Sequence, residues 1–169
     1  MIWVGILMIM LSGGGCGYYL SRKVTQDLIT ITFLRDSIVS FVNELKYTKE
    51  PLEYLFQKLG KRYENPVGEI WNTMSTQIKK EGDLDKIWKM QIDTIVQFHA
   101  MSKECKEVLK DMGKYFGHLD IEAQISQIQF VIETLNNEIN QLSENEPKQR
   151  KMYQSMGFLC AAFVVILVI

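Results

Sequence analysis

The amino-acid sequence predicts an all-α fold, a bundle of about five to six helices flanked by two transmembrane helices. Apolar residues recur at every third or fourth position through the middle of the chain, which is the spacing of one helix face. No stretch there alternates with β-branched residues and turn signals as a sheet would require. Both ends are free of charge, because every Lys, Arg, Asp and Glu lies between Arg22 and Lys151. The predicted domains are an N-terminal transmembrane helix (1–20), a cytoplasmic helical bundle (21–151) and a C-terminal transmembrane helix (152–169).

The first uncharged run is long enough to cross a bilayer. Residues 1–20 as a helix, at about 1.5 Å per residue, span roughly 30 Å of hydrocarbon, whereas residues 156–169 cover only about 21 Å. A cleaved secretion signal is one alternative for the N-terminal run, but no basic residue precedes it. A lipoprotein signal ending at Cys16 is another, although Gly13 stands where a bulky apolar residue is expected. We therefore expect both runs to act as membrane anchors.

Basic side chains beside these runs predict the topology. Two follow the first run and three precede the second, and the positive-inside rule places both groups on the cytoplasmic face of the cell membrane. The middle of the chain is therefore expected in the cytoplasm. The residues that carry this prediction are Arg22, Lys23, Lys148, Arg150 and Lys151.

Turn and capping residues divide the middle of the chain into helices. The first helix is expected to run from the membrane to about Tyr47, and the second to begin at Pro51, whose fixed φ suits a first helical turn. Asn65-Pro66 marks the start of the third helix, which Gly82 closes, and Asp83 is a suitable N-cap for the fourth. A fifth, more polar helix is expected from about 102 to 115.

The apolar faces of these helices predict the core of the bundle. Trp71 and Trp88 fall on such faces, so they are expected to pack in the core rather than to bind a cofactor. The predicted core residues are Leu28, Ile31, Leu34, Ile38, Phe41, Leu45, Leu52, Leu55, Phe56, Leu59, Val67, Ile70, Trp71, Met74, Ile78, Leu84, Ile87, Trp88, Ile92 and Ile95.

The last helix before the C-terminal run is expected to begin after Asp120, a suitable N-cap, and it carries a regular apolar seam. We favour packing of this seam inside the bundle, because an apolar stripe is first of all a core face. Coiled-coil self-association, which would give a homo-oligomer, is the alternative. The seam consists of Ile121, Ile125, Ile128, Ile132, Leu135, Ile139 and Leu142.

No sequence pattern predicts catalysis, a metal site or a cofactor. The run from Gly13 to Gly17 lacks the Lys-Ser/Thr pair of a phosphate loop, and its small residues suit close helix packing in a membrane. His99 and His118 lack the spacing of a zinc site. The formal net charge of −1 argues against a nucleic-acid partner. We therefore predict a protein that is not an enzyme and that binds neither a metal nor a cofactor.

Three groups of short motifs follow one another along nearly the whole chain. The groups are Glu44-Leu45-Lys46-Tyr47 with Pro51-Leu52, then Met112-Gly113 with Gly117-His118-Leu119-Asp120 and Gln124, and finally Met152-Tyr153-Gln154-Ser155-Met156-Gly157. Taken together, they resemble the motifs of the stage III sporulation protein AB family of endospore-forming bacteria. The chain departs from that family at Glu50, where Thr is frequent, and at two Met-Gly pairs, where Leu-Gly is frequent.

This resemblance implies a helical domain similar to the cytoplasmic domains of F-type platform proteins in type II secretion and type IV pilus systems. It also implies a place in the channel complex that the mother cell builds against the forespore, with other stage III sporulation proteins and a cytosolic hexameric ATPase as partners. The motif positions are then either turn and packing positions or a partner-binding surface. They are Tyr47, Pro51, Leu52, Gly117, Asp120, Gln124 and Gly157.

Two functional hypotheses follow. The first is a non-enzymatic platform or scaffold subunit of the transport apparatus that endospore formation requires, located in the mother-cell membrane facing the forespore. The second is a membrane-tethered helical adaptor or signalling module that acts through self-association along the seam that begins at Ile121.

Overall fold

A computed structural model of the chain describes residues 2–48, 50–78, 80, 83–96, 101–117 and 120–168. Over these residues the fold is all-α, with six α-helices, one short 3-10 helix and no strand, so the predicted fold class is confirmed. The helices are α1 (Ile2–Tyr47), α2 (Leu52–Arg62), α3 (Val67–Ile78), α4 (Leu84–Val96), α5 (Lys103–Asp111), the 3-10 helix (Met112–Tyr115) and α6 (Ile121–Val168).

The chain forms two compact units. The first, here called the bundle unit, is Ile29–Asn140 and contains the short helices together with one part each of α1 and α6. The second, here called the terminal unit, combines Met1–Leu28 with Gln141–Ile169. Helix α6 is continuous through Pro147.

Side-chain caps explain where several helices begin. Asp83 Oδ1 accepts hydrogen bonds from the backbone N–H groups of Asp85 and Lys86, at 3.0 and 3.3 Å. Asp120 Oδ1 accepts from the N–H of Ala123 at 2.8 Å. Each bond satisfies a donor that the first turn of a helix otherwise leaves without a partner. The two predicted N-caps are therefore confirmed, whereas Gly82, which was expected to close α3, lies outside the described residues.

Five aromatic rings form the centre of the bundle unit. Seven pairs among them have ring centroids 5.3 to 5.7 Å apart, and all five side chains are buried. Contacts of this kind add about 0.5–1.5 kcal/mol per pair beyond the burial of area. Because each ring comes from a different segment, the cluster joins the first four helices and the residue that follows the 3-10 helix. The rings are Phe41 in α1, Phe56 in α2, Trp71 in α3, Trp88 in α4 and Phe116 after the 3-10 helix.

Most of the predicted core residues in the first five helices are buried, and both core tryptophans are confirmed. The exceptions are residues at helix starts and ends or at the margins of the packed faces, where neighbouring helices cover only one side. The predicted core residues that are only half-buried are Leu28, Leu52, Ile78, Leu84 and Ile87.

The seam predicted for α6 is confirmed at Ile128 and Leu135, which are buried, and is wrong at its other positions. The buried stripe in the bundle unit is Gln124, Ile128, Val131, Leu135 and Glu138, so the buried face is rotated slightly relative to the predicted seam. Ile121 is 54% exposed, and Ile125, Ile132 and Ile139 are half-buried. The period of the stripe was predicted correctly. The apolar face of α6 is wider than the part of it that contacts the other helices. Two polar residues, Gln124 and Glu138, are buried in that contact.

Within the residues that the structure describes, no helix combines the length and the apolar character needed to cross a membrane. The two transmembrane helices predicted at 1–20 and 152–169 therefore have no support there. The long helices α1 and α6 contain 46 and 48 residues, and their described side chains include charged ones such as Arg22 and Lys151. Most side chains of the two predicted spans lie outside the described residues, although their backbone is helical.

Candidate interaction surface

The loop between α1 and α2 is fixed by hydrogen bonds at both of its ends. The N–H and the hydroxyl of Thr48 both donate to the carbonyl of Glu44, at 2.8 and 2.5 Å. The carboxylate of Glu44 also contacts Lys58 Nζ at 2.8 Å, which joins the end of α1 to α2. Pro51 then adopts φ −58° and its carbonyl accepts from the N–H of Tyr54 at 3.0 Å. The described residues on both sides of this connection, Thr48 and Pro51, are therefore held by hydrogen bonds.

Gly117, which follows the 3-10 helix, lies against the start of α2. Gly117 has φ +75°, a conformation that a side chain disfavours by about 1–2 kcal/mol. A Cβ added there would be 3.8 Å from Leu52 Cδ1. The preceding Phe116 packs on Phe56 and Phe41 with ring centroids 5.6 and 5.5 Å apart. Gly117 and Leu52 therefore meet near the end of α1 and the beginning of α6.

Six of the seven motif positions lie at this end of the bundle unit. We call the exposed or half-buried ones the end surface, namely Tyr47, Pro51, Leu52, Gly117 and Asp120. The sixth, Gln124, is 3% exposed, and its Nε2 has no hydrogen-bond partner among the described residues. The seventh, Gly157, belongs to α6 in the terminal unit. His118 and Leu119, which complete the second motif group, lie outside the described residues.

Most of the end surface has a structural reason for its residue types. Pro51 precedes the first turn of α2, Gly117 provides a positive φ, and Asp120 caps α6. Tyr47 has no such role, since 77% of its surface is exposed. Lys46 Nζ lies 5.6 Å from the centroid of its ring, close enough for a cation–π contact. An exposed tyrosine at the end of a packed helix is the residue type that protein interfaces favour, because it adds a large contact area with few rotatable bonds.

The five residues that carried the topology prediction all belong to the terminal unit, and all five are exposed. There α1 and α6 are joined by a hydrogen bond from Thr25 Oγ to Glu146 Oε1 at 2.6 Å. Arg22 and Arg150 line a cleft of about 250 Å³ beside this bond. These basic residues were predicted as a group from their charge alone, and the cleft that two of them share was not predicted.

A buried carboxylate in the bundle unit was also missed by the sequence analysis. Glu138 of α6 is 8% exposed, and it accepts from the N–H of Ser102 at 2.8 Å and from the Ser102 hydroxyl at 2.5 Å. Ser102 Oγ in turn accepts from the N–H of Cys105 at 3.2 Å. The signal available in the sequence was a serine suited to an N-cap, but its partner lies 36 residues away.

The chemistry of the remaining candidate groups is limited. Burial raises the pKa of the Cys105 thiol from 9.0 to about 12, with smaller contributions from the negative charges of Glu138 and Glu104. The thiol is therefore protonated and a poor nucleophile near pH 7. Across the described part of the chain, no three His, Cys, Asp or Glu side chains converge as a metal site would require. His99 and His118 are both outside that part.

Together, the fold and the end surface define a class: an all-helical protein in which most of the motif positions lie at one end of the bundle unit. A protein-family model described as stage III sporulation protein AB matches residues 2–169. The chain belongs to the stage III sporulation protein AB family, a family of sporulation proteins, as the motif resemblance predicted.

Individual relatives agree with this assignment. The chain is 25% identical over 165 residues to stage III sporulation protein AB of Bacillus subtilis (strain 168), and the match covers 97% of this chain and 96% of that protein. A solved structure of stage III sporulation protein AB (SpoIIIAB) is similar with a TM-score of 0.61 at 24% sequence identity. That match covers 69% of this chain and 93% of the solved one, and it supports the helical fold.

Proposed function

We propose that the protein is a non-enzymatic platform subunit of the transport apparatus between mother cell and forespore, and that it docks a cytosolic hexameric ATPase. Membership of a sporulation family supports the biological setting. The resemblance to F-type platform proteins supports the role within the apparatus. The proposal assigns the ATPase contact to the end surface.

The observation that carries this proposal is the exposure of Tyr47 within a group of motif residues that otherwise have structural roles. The two loops of the end surface are held by the aromatic core through Phe116 and by the contact of Glu44 with Lys58. A surface held in one conformation loses little conformational entropy when it binds a partner. An exposed aromatic ring on such a surface is suited to be an anchor of the interface.

Co-purification of the full-length chain with the sporulation ATPase of the same organism tests the docking role. We expect Tyr47→Ser to weaken binding of the ATPase by about tenfold or more, as the loss of an aromatic anchor does. Phe130→Ser is the matched control, because Phe130 is also an exposed aromatic residue of the bundle unit but lies within α6, outside the end surface. Equal binding by the wild type and Tyr47→Ser would contradict this use of the end surface.

We also propose that the two uncharged ends anchor the protein in the mother-cell membrane, with the bundle unit in the cytoplasm. The support is in the sequence, where no charged side chain precedes Arg22 or follows Lys151. Extraction of membranes with alkaline carbonate is the test. The full-length chain is expected to remain in the membrane pellet, and its release into the supernatant would contradict the anchoring proposal.

Self-association as an adaptor is a second candidate, which one observation favours. A cleft of about 300 Å³ lies between α1 and α6 in the bundle unit, with an apolar floor that includes Val39 and Ile132 and a polar rim that includes Glu133. A second copy could cover the half-buried isoleucines of α6. Analytical ultracentrifugation of the full-length chain in detergent separates the candidates. A monomer would reject the adaptor role, and a dimer that Ile132→Glu dissociates would support it.

A further inference from the structure

The cleft in the terminal unit combines positive charge with hydrogen-bond donors. It is lined by Ser21, Arg22, Thr25 and Gln26 from two successive turns of α1 and by Arg150 from α6. Its volume of about 250 Å³ corresponds to roughly eight water molecules in the liquid, which is enough for a phosphate group. It lies below the range of about 300–1,000 Å³ usual for drug-sized ligands. The cleft therefore suits a small anionic group.

The two arginines are exposed, whereas Ser21 is 2% exposed and forms the buried part of the lining. A guanidinium carries five N–H donors in a planar fork, so it can contact a phosphate while it keeps another partner. Paired guanidiniums are a recurring means of phosphate recognition because each can donate two parallel hydrogen bonds. The lining thus provides both exposed positive charge and a buried hydroxyl.

The negative charge of Glu146 lies beside the cleft and has to be counted in its electrostatic balance. Glu146 lies one helical turn before Arg150 on α6, and its Oε1 accepts from Thr25 Oγ at 2.6 Å. This bond joins α1 to α6 beside the cleft and so fixes its width. The carboxylate also opposes a bound anion, but two guanidiniums exceed one carboxylate, and the balance at the cleft remains positive.

The charge of the surrounding unit has the same sign. The terminal unit contains five basic side chains, Arg22, Lys23, Lys148, Arg150 and Lys151, against the three acidic ones Asp27, Glu144 and Glu146. The protein as a whole has a formal net charge of −1, so positive charge is concentrated in this unit. An anion is therefore attracted to the part of the molecule that contains the cleft.

We propose that this cleft is a binding site for a phosphate group, held between Arg22 and Arg150 with Ser21 in its buried part. A lipid headgroup and a free phosphate present the same chemistry. The lipid source is the one consistent with the proposed anchoring of the adjacent ends, and to that extent it rests on the proposed function. The phosphate site itself does not depend on the anchoring.

Binding to the full-length chain in a non-ionic detergent tests the site, with inorganic phosphate and dihexanoyl phosphatidylglycerol as separate probes. Replacement of both arginines, Arg22→Gln with Arg150→Gln, is expected to weaken binding by about tenfold or more, because each removes a charge-assisted contact. The matched control is Lys23→Gln with Lys151→Gln. It removes the same charge from neighbouring exposed positions that do not line the cleft.

A third variant is expected to change binding in the opposite direction. It keeps the proposal testable even if the arginine variant fails to fold. Glu146→Gln keeps an acceptor for the Thr25 hydroxyl and removes the opposing charge, so it is expected to bind the anion more tightly. Weaker or unchanged binding by Glu146→Gln would contradict the proposal. So would equal losses in the arginine and lysine variants, which would reflect general charge attraction.

The two probes distinguish the sources of the phosphate. Binding of both probes with the predicted order of variants supports a site for phosphate in general, and binding of phosphatidylglycerol alone supports a lipid headgroup site. If neither probe binds the wild type, the proposal is wrong. If carbonate releases the chain from membranes while inorganic phosphate still binds in the predicted order, the anchoring proposal fails and the site stands.

Discussion

Glu138 shows how a single buried side chain can determine where a helix begins. Its carboxylate comes from α6 and accepts the N–H and the hydroxyl of Ser102, the N-cap residue of α5. Negative charge at a helix N-terminus is favoured by the helix dipole and by the free N–H groups of the first turn. The burial of this acid is therefore compensated by its hydrogen bonds, and α5 is fixed to α6 through them.

Replacement of this carboxylate is expected to destabilise the protein. Glu138→Gln keeps the shape but directs an NH₂ group at donors that need an acceptor, which costs about 1–3 kcal/mol. Urea unfolding followed by the fluorescence of the buried Trp71 and Trp88 measures this loss. The control is Glu133→Gln on the exposed side of α6, which should change stability by about 0.5 kcal/mol or less. Equal effects of the two variants would contradict the role given to Glu138.

The buried thiol of Cys105 predicts a pH dependence of stability. Its pKa is raised from 9.0 to about 12 in the folded protein, chiefly by burial. The thiol therefore contributes stability that is fully present below pH 9 and is lost as pH rises towards 12. We expect the free energy of unfolding of wild type to fall relative to that of Cys105→Ala over this range, by about 1.4 kcal/mol for each pH unit above 9. Parallel pH profiles of the two proteins would exclude the effect.

At the scale of elements, the residue that precedes α6 has two possible roles. Asp120 belongs to the motif positions and also caps the helix through the N–H of Ala123. Asp120→Ala is expected to cost about 1 kcal/mol of stability, whereas Asp120→Asn should be nearly neutral because both residues cap well. Thermal unfolding of the three proteins measures the difference. If neither variant alters binding of the ATPase, the position is a capping residue only, and a loss of binding in Asp120→Asn would assign it to the interface.

Local patterns predicted the elements better than their rotation. The helix boundaries near Tyr47, Pro51 and Asp83 follow from capping and turn chemistry, which depends on a few adjacent residues. The rotation of α6 depends on which of two adjacent apolar ladders meets the other helices. Gln124 and Glu138 are buried in that contact, and no apolar period predicts buried polar residues.

The candidate sites were predictable only in part, because they depend on contacts between distant segments of the chain. The motif resemblance named the end-surface residues, but the proximity of Leu52 and Gly117 depends on contacts between distant segments. Arg22 and Arg150 were recognised as charges and not as neighbours, since 128 positions separate them in the sequence. Side-chain partners far apart in the chain leave no local period to detect.

For the molecule as a whole, the aromatic cluster makes the bundle unit cooperative. Phe116 contacts Phe41, Phe56 and Trp88, so it joins the final loop to three helices. Phe116→Ala is expected to destabilise the protein by about 3–5 kcal/mol, through lost contacts and the cavity that remains. Urea unfolding measures the loss, with Tyr54→Ala, an exposed aromatic position, as the control. Similar midpoints for the two variants would show that the cluster does not hold the unit together.

The hydrogen bond between Thr25 and Glu146 has a consequence for biogenesis. It closes a loop of 121 residues, so α1 of the terminal unit meets its partner only after nearly all of the chain has been synthesised. At about 5–20 residues per second, that interval is roughly 6–24 seconds. The short local hairpins between α2 and α5 can form on the ribosome in the meantime. This part of α1 is therefore without its α6 partner while the rest of the chain is made.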